Sequence, residues 1–131
     1  ILLLDIDNFK QINDSYGHEI GDKVIIEFSS RISHIVGERG LVARLGGDEF
    51  VVLMKDFINE EQVVDTARQI NELVKQDIQI QHTHLQITTS IGISMCNRET
   101  FTASQILRYA DEALYHVKGM GKDAFSVYRV K

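Results

Sequence analysis

Hydrophobic and polar positions along the chain follow two different periods, and these periods predict its elements. Residues 1–6 form a continuous apolar run that ends in acids, which is typical of a central strand covered on both faces. Apolar residues then recur at helical spacing, first from Asn8 to Tyr16 and then from Gly21 to Val36. The first third of the chain therefore predicts a strand, a short helix and a long helix.

Two short β-prone runs, residues 41–45 and 51–54, come next and are joined by Gly46-Gly47-Asp48-Glu49-Phe50. Because glycine tolerates positive φ, this junction predicts a tight β-hairpin. Beyond the hairpin, Asn59 and Thr102 each carry the residue pattern of a helix N-cap, and each precedes a stretch of helical periodicity. We therefore predict two further long helices.

Two more strands complete the predicted set of elements. Apolar and polar residues alternate from Leu85 to Met95, which predicts a strand with one polar face, and a last strand is predicted from Phe125 to Val130. Helices and strands thus alternate around one hairpin. This order favours an α+β fold with a single mixed sheet, in which the strand ends and the hairpin tip share one rim.

The composition is that of an ordinary soluble domain. With 131 residues the chain is long enough for one core, and its formal charge of -5 argues against a general nucleic-acid-binding surface. A single cysteine excludes an intrachain disulfide and a cysteine-based zinc cluster, and it fits a reducing, cytoplasmic compartment. The apolar runs are far shorter than the ~20 residues of a membrane span, so we expect no membrane contact by this domain.

The chain begins inside an apolar strand without an initiator methionine. We therefore expect residues 1–131 to be a single domain that forms an N-terminally truncated fragment of a larger protein.

The acids near the first strand and the hairpin are the first candidates for chemistry. If these elements are neighbours in the sheet, Asp5 at the strand end and Asp48 at the turn can meet. Two carboxylates and a backbone carbonyl make a hard oxygen site suited to Mg²⁺ and to metal-assisted phosphoryl or nucleotidyl transfer. The alternatives are a plain turn with solvated acids and, for Asp7-Asn8, a helix cap.

Other polar residues admit a ligand-binding and a structural interpretation. Lys10, in the first turn of the short helix, could reach a phosphate or could simply be solvated. Asn13 and Asp22 offer an amide and a carboxylate to a purine's Watson-Crick edge, although either could cap a helix. Lys118 and Lys122 lie at a helix end, where positive charge also complements the helix dipole.

Six sequence blocks, in order, resemble the GGDEF domain of bacterial diguanylate cyclases over the whole chain except its N-terminal lead-in. The blocks are residues 4–10, 12–14, 17–22, 44–50, 90–93 and 110–115. The resemblance implies a palm-like, ferredoxin-like core with a mixed, mostly antiparallel sheet surrounded by helices. It also implies condensation of two GTP into cyclic di-GMP with release of pyrophosphate, in a homodimer in which each domain presents one GTP.

Carried over by position, the resemblance implies a metal site for Mg²⁺ (or Mn²⁺) formed by Asp5, the main-chain carbonyl of Ile6 and Asp48. It also makes Asp48 the candidate base for the ribose 3′-OH, or part of the metal site that deprotonates it. Lys10 becomes the transition-state stabiliser, because a cation there would meet the charge that builds on the phosphoryl oxygens. Glu49 is included among the catalytic residues with the least defined role.

The same resemblance implies a set of substrate-binding residues. Guanine would be read by Asn13 and Asp22, with a contribution from His18. Main-chain N–H groups near Asn8 and Phe9 would cradle phosphates, and the terminal phosphates would meet Lys118 and Lys122. Gly46 and Gly47 would let the substrate approach the backbone.

Two departures from the family pattern change the expectation. The segment Gly121-Lys122-Asp123 stands where the family more often has Gly-Arg-Asn, so it loses a bidentate fork, adds an acid and predicts weaker GTP affinity. The positions of the family's Arg-x-x-Asp product-inhibition motif are Gly37 and Gly40, so we expect no such inhibitory site.

Three functions remain open from the sequence. The first is a working cyclase, and the second is a catalytically inactive GTP-binding domain that regulates an attached module such as a cyclic di-GMP phosphodiesterase. A polymerase-like nucleotidyl transferase is a weaker third, because the chain has no basic track for a template. We expect attached sensory or phosphodiesterase domains in either of the first two cases.

Overall fold

A computed structural model describes residues 1–55, 59–95 and 102–128. Its elements, in chain order, are β1 (Leu2–Ile6), α1 (Phe9–Tyr16), α2 (His18–Val36), a 3-10 turn (Gly37–Arg39), β2 (Gly40–Gly46), β3 (Glu49–Met54), α3 (Glu60–Val74), β4 (Ile78–Ile80), β5 (Thr83–Leu85), β6 (Thr89–Ser94), α4 (Ala103–Gly119) and β7 (Ala124–Tyr128). Cys96 and the last residues of the predicted final strand, Arg129 and Val130, lie outside the described residues.

The main sheet has five strands in the order β2-β3-β1-β6-β7, and β4 and β5 form a separate small hairpin. The first strand, β1, lies at the centre and pairs antiparallel with both β3 and β6, whereas β6 and β7 are parallel. The predicted α+β fold with a mixed, mostly antiparallel sheet is confirmed. The central position of β1 explains its continuous apolar sequence.

Helices cover both faces of this sheet. Leu2, Leu4 and Ile6 of β1 pack in the main core, which includes residues of α2 and α3, whereas Leu3 packs with residues of α4. Because successive strand residues point to opposite faces, α4 lies across the sheet from the other two long helices. A Cβ at Gly92 of β6 would lie 2.1 Å from the Ala110 carbonyl oxygen of α4, so glycine permits this close approach.

The segment from Leu85 to Met95 differs from the prediction of one strand with a polar face. The small hairpin ends at Leu85, β6 begins only at Thr89, and every residue of β6 is buried. The prediction was wrong because β6 is an inner strand with α4 on one face and the main core on the other. Short polar side chains such as Ser90 and Ser94 are therefore buried in it.

Two of the predicted helix caps are confirmed. The Gln62 N–H donates to the Asn59 side chain at 3.1 Å, and Thr102 and Gln105 form a reciprocal capping box. The capping interpretation of Asp7-Asn8 holds only for position: Asn8 is the N-cap residue of α1, but it has a left-handed φ of 58° and its side chain makes no capping bond.

The second helix, α2, begins at His18, ahead of its predicted start at Gly21. Among the helices of the described ranges, none combines the length and the apolar character that a membrane span requires.

Candidate functional site

The hairpin tip lies against the C-terminal end of β1. In the register of β1 and β3, Asp5 faces Glu49, and the Ile6 N–H donates to the Asp48 carbonyl oxygen at 3.2 Å. The two carboxylates that the sequence predicted to meet therefore lie at the same rim of the sheet, where β1 ends beside the hairpin tip. Glu49 lies beside them as the first residue of β3.

The tip itself is a tight turn between β2 and β3. Gly46 and Gly47 have positive φ values of 147° and 52°, and a Cβ built at either would meet nothing within 4 Å. Arg44 closes the turn, because its Nε donates to the Gly47 carbonyl oxygen at 2.9 Å. The backbone of the two glycines is thus open to a ligand, while Arg44, which the sequence did not single out, holds its shape.

Asp5 carries a charge in a largely buried position. Its side chain is 15 % exposed, and one carboxylate oxygen contacts the Lys118 ammonium. Its other oxygen is buried and has no hydrogen-bond partner in the part of the chain that the structure describes. Burial, and next the side chain of Asp48, raise the pKa of Asp5 from 3.8 to about 6, against the opposing effect of Lys118.

Lys118, at the C-terminal end of α4, supplies positive charge at this rim. Burial alone would lower the pKa of its ammonium, but the hydrogen bond and charge of Asp5, followed by the charges of Asp48 and Glu49, raise it overall. Lys118 therefore stays protonated at neutral pH. The structure places its ammonium against the Asp5 carboxylate, whereas the sequence analysis assigned it to terminal phosphates.

The carboxylate oxygens at this rim fit a hard divalent cation. Within residues 1–55, 59–95 and 102–128, no group of three or more His, Cys, Asp or Glu side chains could hold a metal ion by itself. Mg²⁺ takes only one or two protein carboxylates and completes its shell with water and substrate phosphates. The partnerless buried oxygen of Asp5, next to Asp48, matches that requirement.

Asp7 is a buried acid that sequence reasoning missed as part of the site. It is 6 % exposed. One of its oxygens accepts from the Thr88 hydroxyl at 2.6 Å and from the Asp123 N–H at 3.1 Å, and the other accepts from the Ser90 hydroxyl at 2.6 Å. The available signal was a pair of hydroxyl-bearing residues, Thr88 just before β6 and Ser90 within it.

The turn after α4 brings Lys122 to the start of α1. Gly121, Lys122 and Asp123 have consecutive positive φ values of 109°, 67° and 50°. The Lys122 ammonium donates to the Asn8 side-chain oxygen at 2.8 Å, and the Lys122 N–H donates to the Val117 carbonyl at 3.1 Å. The structure thus joins two residues that the sequence had placed separately in phosphate binding.

The first turn of α1 carries two more of the predicted residues. Phe9 is partly buried and packs against the main core, which anchors the helix. Lys10 is exposed beside it. The structure leaves Lys10 on the surface of the first turn, from which a long side chain can reach an adjacent ligand.

The predicted base-reading residues lie on α1 and α2. A Cβ at Gly21 would lie 1.8 Å from the Asn13 side-chain oxygen, so the glycine of α2 leaves the space that the Asn13 amide occupies. Asp22 follows directly and is exposed, as is His18 near the start of the same helix. The structure therefore brings Asn13 next to the turn of α2 that carries Asp22, and Gly21 is a residue that sequence reasoning missed.

Comparisons with known proteins agree on one family. The model of the diguanylate cyclase GGDEF domain matches residues 1–124. The chain is 37% identical over 131 residues to the bifunctional diguanylate cyclase/cyclic di-GMP phosphodiesterase MucR of Pseudomonas aeruginosa, covering 98% of the chain and 18% of that protein. It is 40% identical over 134 residues to the probable diguanylate cyclase DgcF of Escherichia coli strain K12, covering 98% of the chain and 42% of that protein.

The solved structures point the same way. The GGDEF domain of PA1120 (YfiN or TpbB) from Pseudomonas aeruginosa matches with a TM-score of 0.93 and 31% identity, over 99% of this chain and 81% of that one. The family resemblance and the fold that it implies are confirmed. The chain spans less than half the length of the two curated relatives named above.

Proposed function

Because the chain belongs to the diguanylate cyclase GGDEF domain family, we propose that it condenses two GTP into cyclic di-GMP with release of pyrophosphate. The observation that carries the proposal is the proximity of the Asp5 and Asp48 side chains at one rim, with a partnerless buried oxygen on Asp5 and the charged Lys118 beside it. Metal-assisted nucleotidyl transfer requires carboxylates that lie close together and have an oxygen available to bind a divalent cation.

Asp5, Asp48 and the main-chain carbonyl of Ile6 would hold Mg²⁺ or Mn²⁺ at this rim. When bound, the ion would neutralise phosphate charge and lower the pKa of the attacking hydroxyl. The proposal for these residues is supported by the contact between the Ile6 N–H and the Asp48 carbonyl, which keeps the hairpin tip at the end of β1.

The chain's own side chains would then move the proton and meet the developing charge. Asp48, at the open hairpin tip, would accept the proton of the ribose 3′-OH, with Glu49 beside it. Lys10 would stabilise the charge that develops on the α-phosphoryl oxygens. Lys118 pairs with Asp5 in the free protein and would turn to the terminal phosphates, where Lys122 would also bind.

The remaining proposed contacts fix the substrate. Asn13 and Asp22 would hydrogen-bond the guanine edge, and His18 would add a contact from the start of α2. Main-chain N–H groups near Asn8 and Phe9 would bind phosphate oxygens, since the first N–H groups of a helix have no partner within it. Gly46 and Gly47 would allow the substrate close to the backbone, as their open surroundings permit.

We place this reaction in a homodimer, because each domain would present one GTP and the product needs two phosphodiester bonds. We also place the domain in the cytoplasm and in a larger protein with sensory or phosphodiesterase modules. The name of MucR records such a combination of cyclase and phosphodiesterase in one relative.

The test is incubation of the full-length protein with GTP and Mg²⁺, followed by identification of the product. Asp48→Ala should lower cyclic di-GMP formation about a hundredfold or more, because base and metal-ligand functions are lost together. Asp65→Asn is the matched control, since Asp65 is an exposed acid of α3 in an ion pair with Arg68. Turnover that persists in Asp48→Ala, with circular dichroism unchanged, would reject the proposal.

A second function is favoured by one observation, the acid at Asp123 next to Lys122. Although Lys75 pairs with the Asp123 carboxylate at 3.2 Å, an added acid in the turn that carries Lys122 weakens the attraction for a triphosphate. A weaker attraction suits a regulatory domain that binds GTP without turning it over. In the same experiment this alternative predicts GTP binding with no cyclic di-GMP, in the wild-type protein as well as in Asp48→Ala.

A further inference from the structure

We propose that Asp7 is a positioning residue that locks the turn carrying Lys122 and thereby sets how the protein holds the terminal phosphates of its nucleotide. The phosphate part of this inference rests on the GTP binding proposed above. The lock itself rests only on contacts within the chain.

Asp7 is held by three hydrogen-bond donors of the chain. Its carboxylate accepts from the Thr88 hydroxyl, the Ser90 hydroxyl and the Asp123 N–H. The Asp7 N–H also donates to the Thr88 carbonyl at 3.0 Å. Both carboxylate oxygens are thus used by neutral donors from the start of β6 and from the turn after α4. Unlike Asp5, this acid has a donor from the chain on each of its two oxygens.

The turn that Asp7 contacts has an uncommon backbone conformation. Non-glycine residues seldom adopt positive φ, yet Lys122 and Asp123 do so in succession, after Gly121. Such conformations persist only where surrounding contacts hold them in place. Here two bonds donated by main-chain N–H groups contribute, one from the Asp123 N–H to the Asp7 carboxylate and one from the Lys122 N–H to the Val117 carbonyl.

This turn also positions Lys122, which we place in phosphate binding. The Lys122 ammonium donates to Asn8, which directly follows Asp7 and itself has a φ of 58°. Asp7 therefore fixes both partners of this contact, the turn on one side and the start of α1 on the other. Lys118 lies on α4 and is held by Asp5, so its position does not depend on Asp7.

Because Lys122 depends on Asp7 and Lys118 does not, removal of Asp7 should have a selective effect on nucleotide binding. Loss of the Asp7 carboxylate should displace Lys122 and weaken binding of groups that reach it, which are the β- and γ-phosphates. It should leave guanine recognition and the Asp5–Lys118 contact in place. A general loss of structure would instead weaken every nucleotide alike.

The experiment uses the full-length protein, with Ca²⁺ in place of Mg²⁺ to prevent turnover, and competition binding of GTP and GMP. Asp7→Ala should weaken GTP binding about tenfold, the lower end of what loss of a supporting contact costs, and change GMP binding less than about twofold. Asp7→Asn should restore most of the GTP affinity, because its amide oxygen can accept from the Asp123 N–H and the hydroxyls can turn to suit it. Asp65→Asn is the neutral control.

A double-mutant comparison tests whether Asp7 acts through Lys122. Lys122→Ala should also weaken GTP binding, and adding Asp7→Ala to it should cause no further loss. Losses that multiply in the double variant would overturn the inference, as would equal weakening of GTP and GMP or unchanged GTP binding in Asp7→Ala.

Amide hydrogen exchange without nucleotide separates this inference from the proposed function. The Asp123 N–H should be protected in the wild-type protein and exchange much faster in Asp7→Ala. A wild-type protein that binds no GTP would overturn the proposed function and the phosphate part of the inference, while this change in protection would still support the lock. Unchanged protection in a folded Asp7→Ala protein would overturn the lock.

Discussion

The two ends of the proposed nucleotide site are built in different ways. The phosphate end comprises Asp5, Asn8, Asp48, Lys118 and Lys122, and the base end comprises Asn13, His18 and Asp22. The phosphate end collects charged groups from segments far apart in the chain, linked by contacts such as Lys118 to Asp5 and Lys122 to Asn8. The base end comes from the consecutive helices α1 and α2 and depends on the space left by Gly21.

The phosphate end and the base end differ because the phosphate end contains partly buried charges. A partly buried charge is costly unless another group compensates it. Before a ligand arrives, Lys118 is therefore held against Asp5, and Lys122 against the Asn8 side-chain oxygen. Guanine recognition needs hydrogen-bonding groups at the right spacing, which two packed helices supply without compensating charge. We therefore expect the phosphate end to respond to pH and the base end to respond to small changes of shape.

The largest expected effects both arise from the raised pKa of Asp5, and the first of them is on cation binding at the phosphate end. Because the pKa of Asp5 is about 6 without metal, its proton competes with a divalent cation below that pH. Affinity for Mn²⁺, followed by electron paramagnetic resonance, should rise about tenfold between pH 5 and pH 7, mostly below pH 6. An Asp5 with an ordinary pKa of 3.8 would give an almost flat profile over this range.

The same shift predicts the sign of a stability change in the metal-free protein. The folded state holds the Asp5 proton more tightly than the unfolded state, so stability should fall by about 3 kcal/mol as pH rises from 3.8 through about 6. The titratable groups next to Asp5 are the acids Asp48 and Glu49 and the amine Lys118, which stays protonated between pH 3.8 and 6. In Asp5→Asn this fall should disappear from urea unfolding curves; a fall of the same size in the variant would assign it to another group.

At the base end, Gly21→Ala should weaken GTP binding about fivefold, the usual worth of one hydrogen bond. The new methyl group would occupy the position of the Asn13 side-chain oxygen and push the amide aside, at little cost to the fold because the amide is a side-chain end. Affinity for inorganic triphosphate should stay unchanged, because that ligand does not reach the base end.

Gly119→Ala is the matched control, since a Cβ there meets nothing within 4 Å. If Gly21→Ala lowered the affinities for GTP and inorganic triphosphate equally, the two ends would not be separable in the way proposed here.

The smallest expected effect concerns the turn behind the phosphate end. Asp123 has a left-handed φ of 50°, and one of its carboxylate oxygens is buried without a hydrogen-bond partner among the described residues. Asparagine tolerates this conformation and carries no charge, so Asp123→Asn should stabilise the fold by about 1 kcal/mol in urea unfolding.

Asp123→Asn also removes the ion pair of Asp123 with Lys75 at 3.2 Å. This pair is partly exposed, so its loss should lower the stability only slightly. Lys75→Met measures that loss alone. A destabilised Asp123→Asn protein would show that the ion pair outweighs the buried oxygen.

Local signals in the sequence were enough for much of the fold. The apolar run of β1, the glycines of the hairpin and the caps at Asn59 and Thr102 act within a few residues, so their structures could be predicted without knowing the neighbours. The meeting of Asp5 and Asp48 could also be predicted, because both stand at the ends of elements that share one rim. The catalytic and binding roles of these residues stay predictions.

The tertiary structure decided what depends on neighbours distant in the chain. It buried both faces of β6, which the alternating pattern had predicted to be half polar. It also turned Asp7 from a candidate cap into the acceptor of donors near residues 88–90 and 123, and it made Gly21 the space for Asn13. Periodicity and capping express the chain's preferences over a few residues, whereas burial, close approach and charge compensation are set by whichever segments the fold brings together.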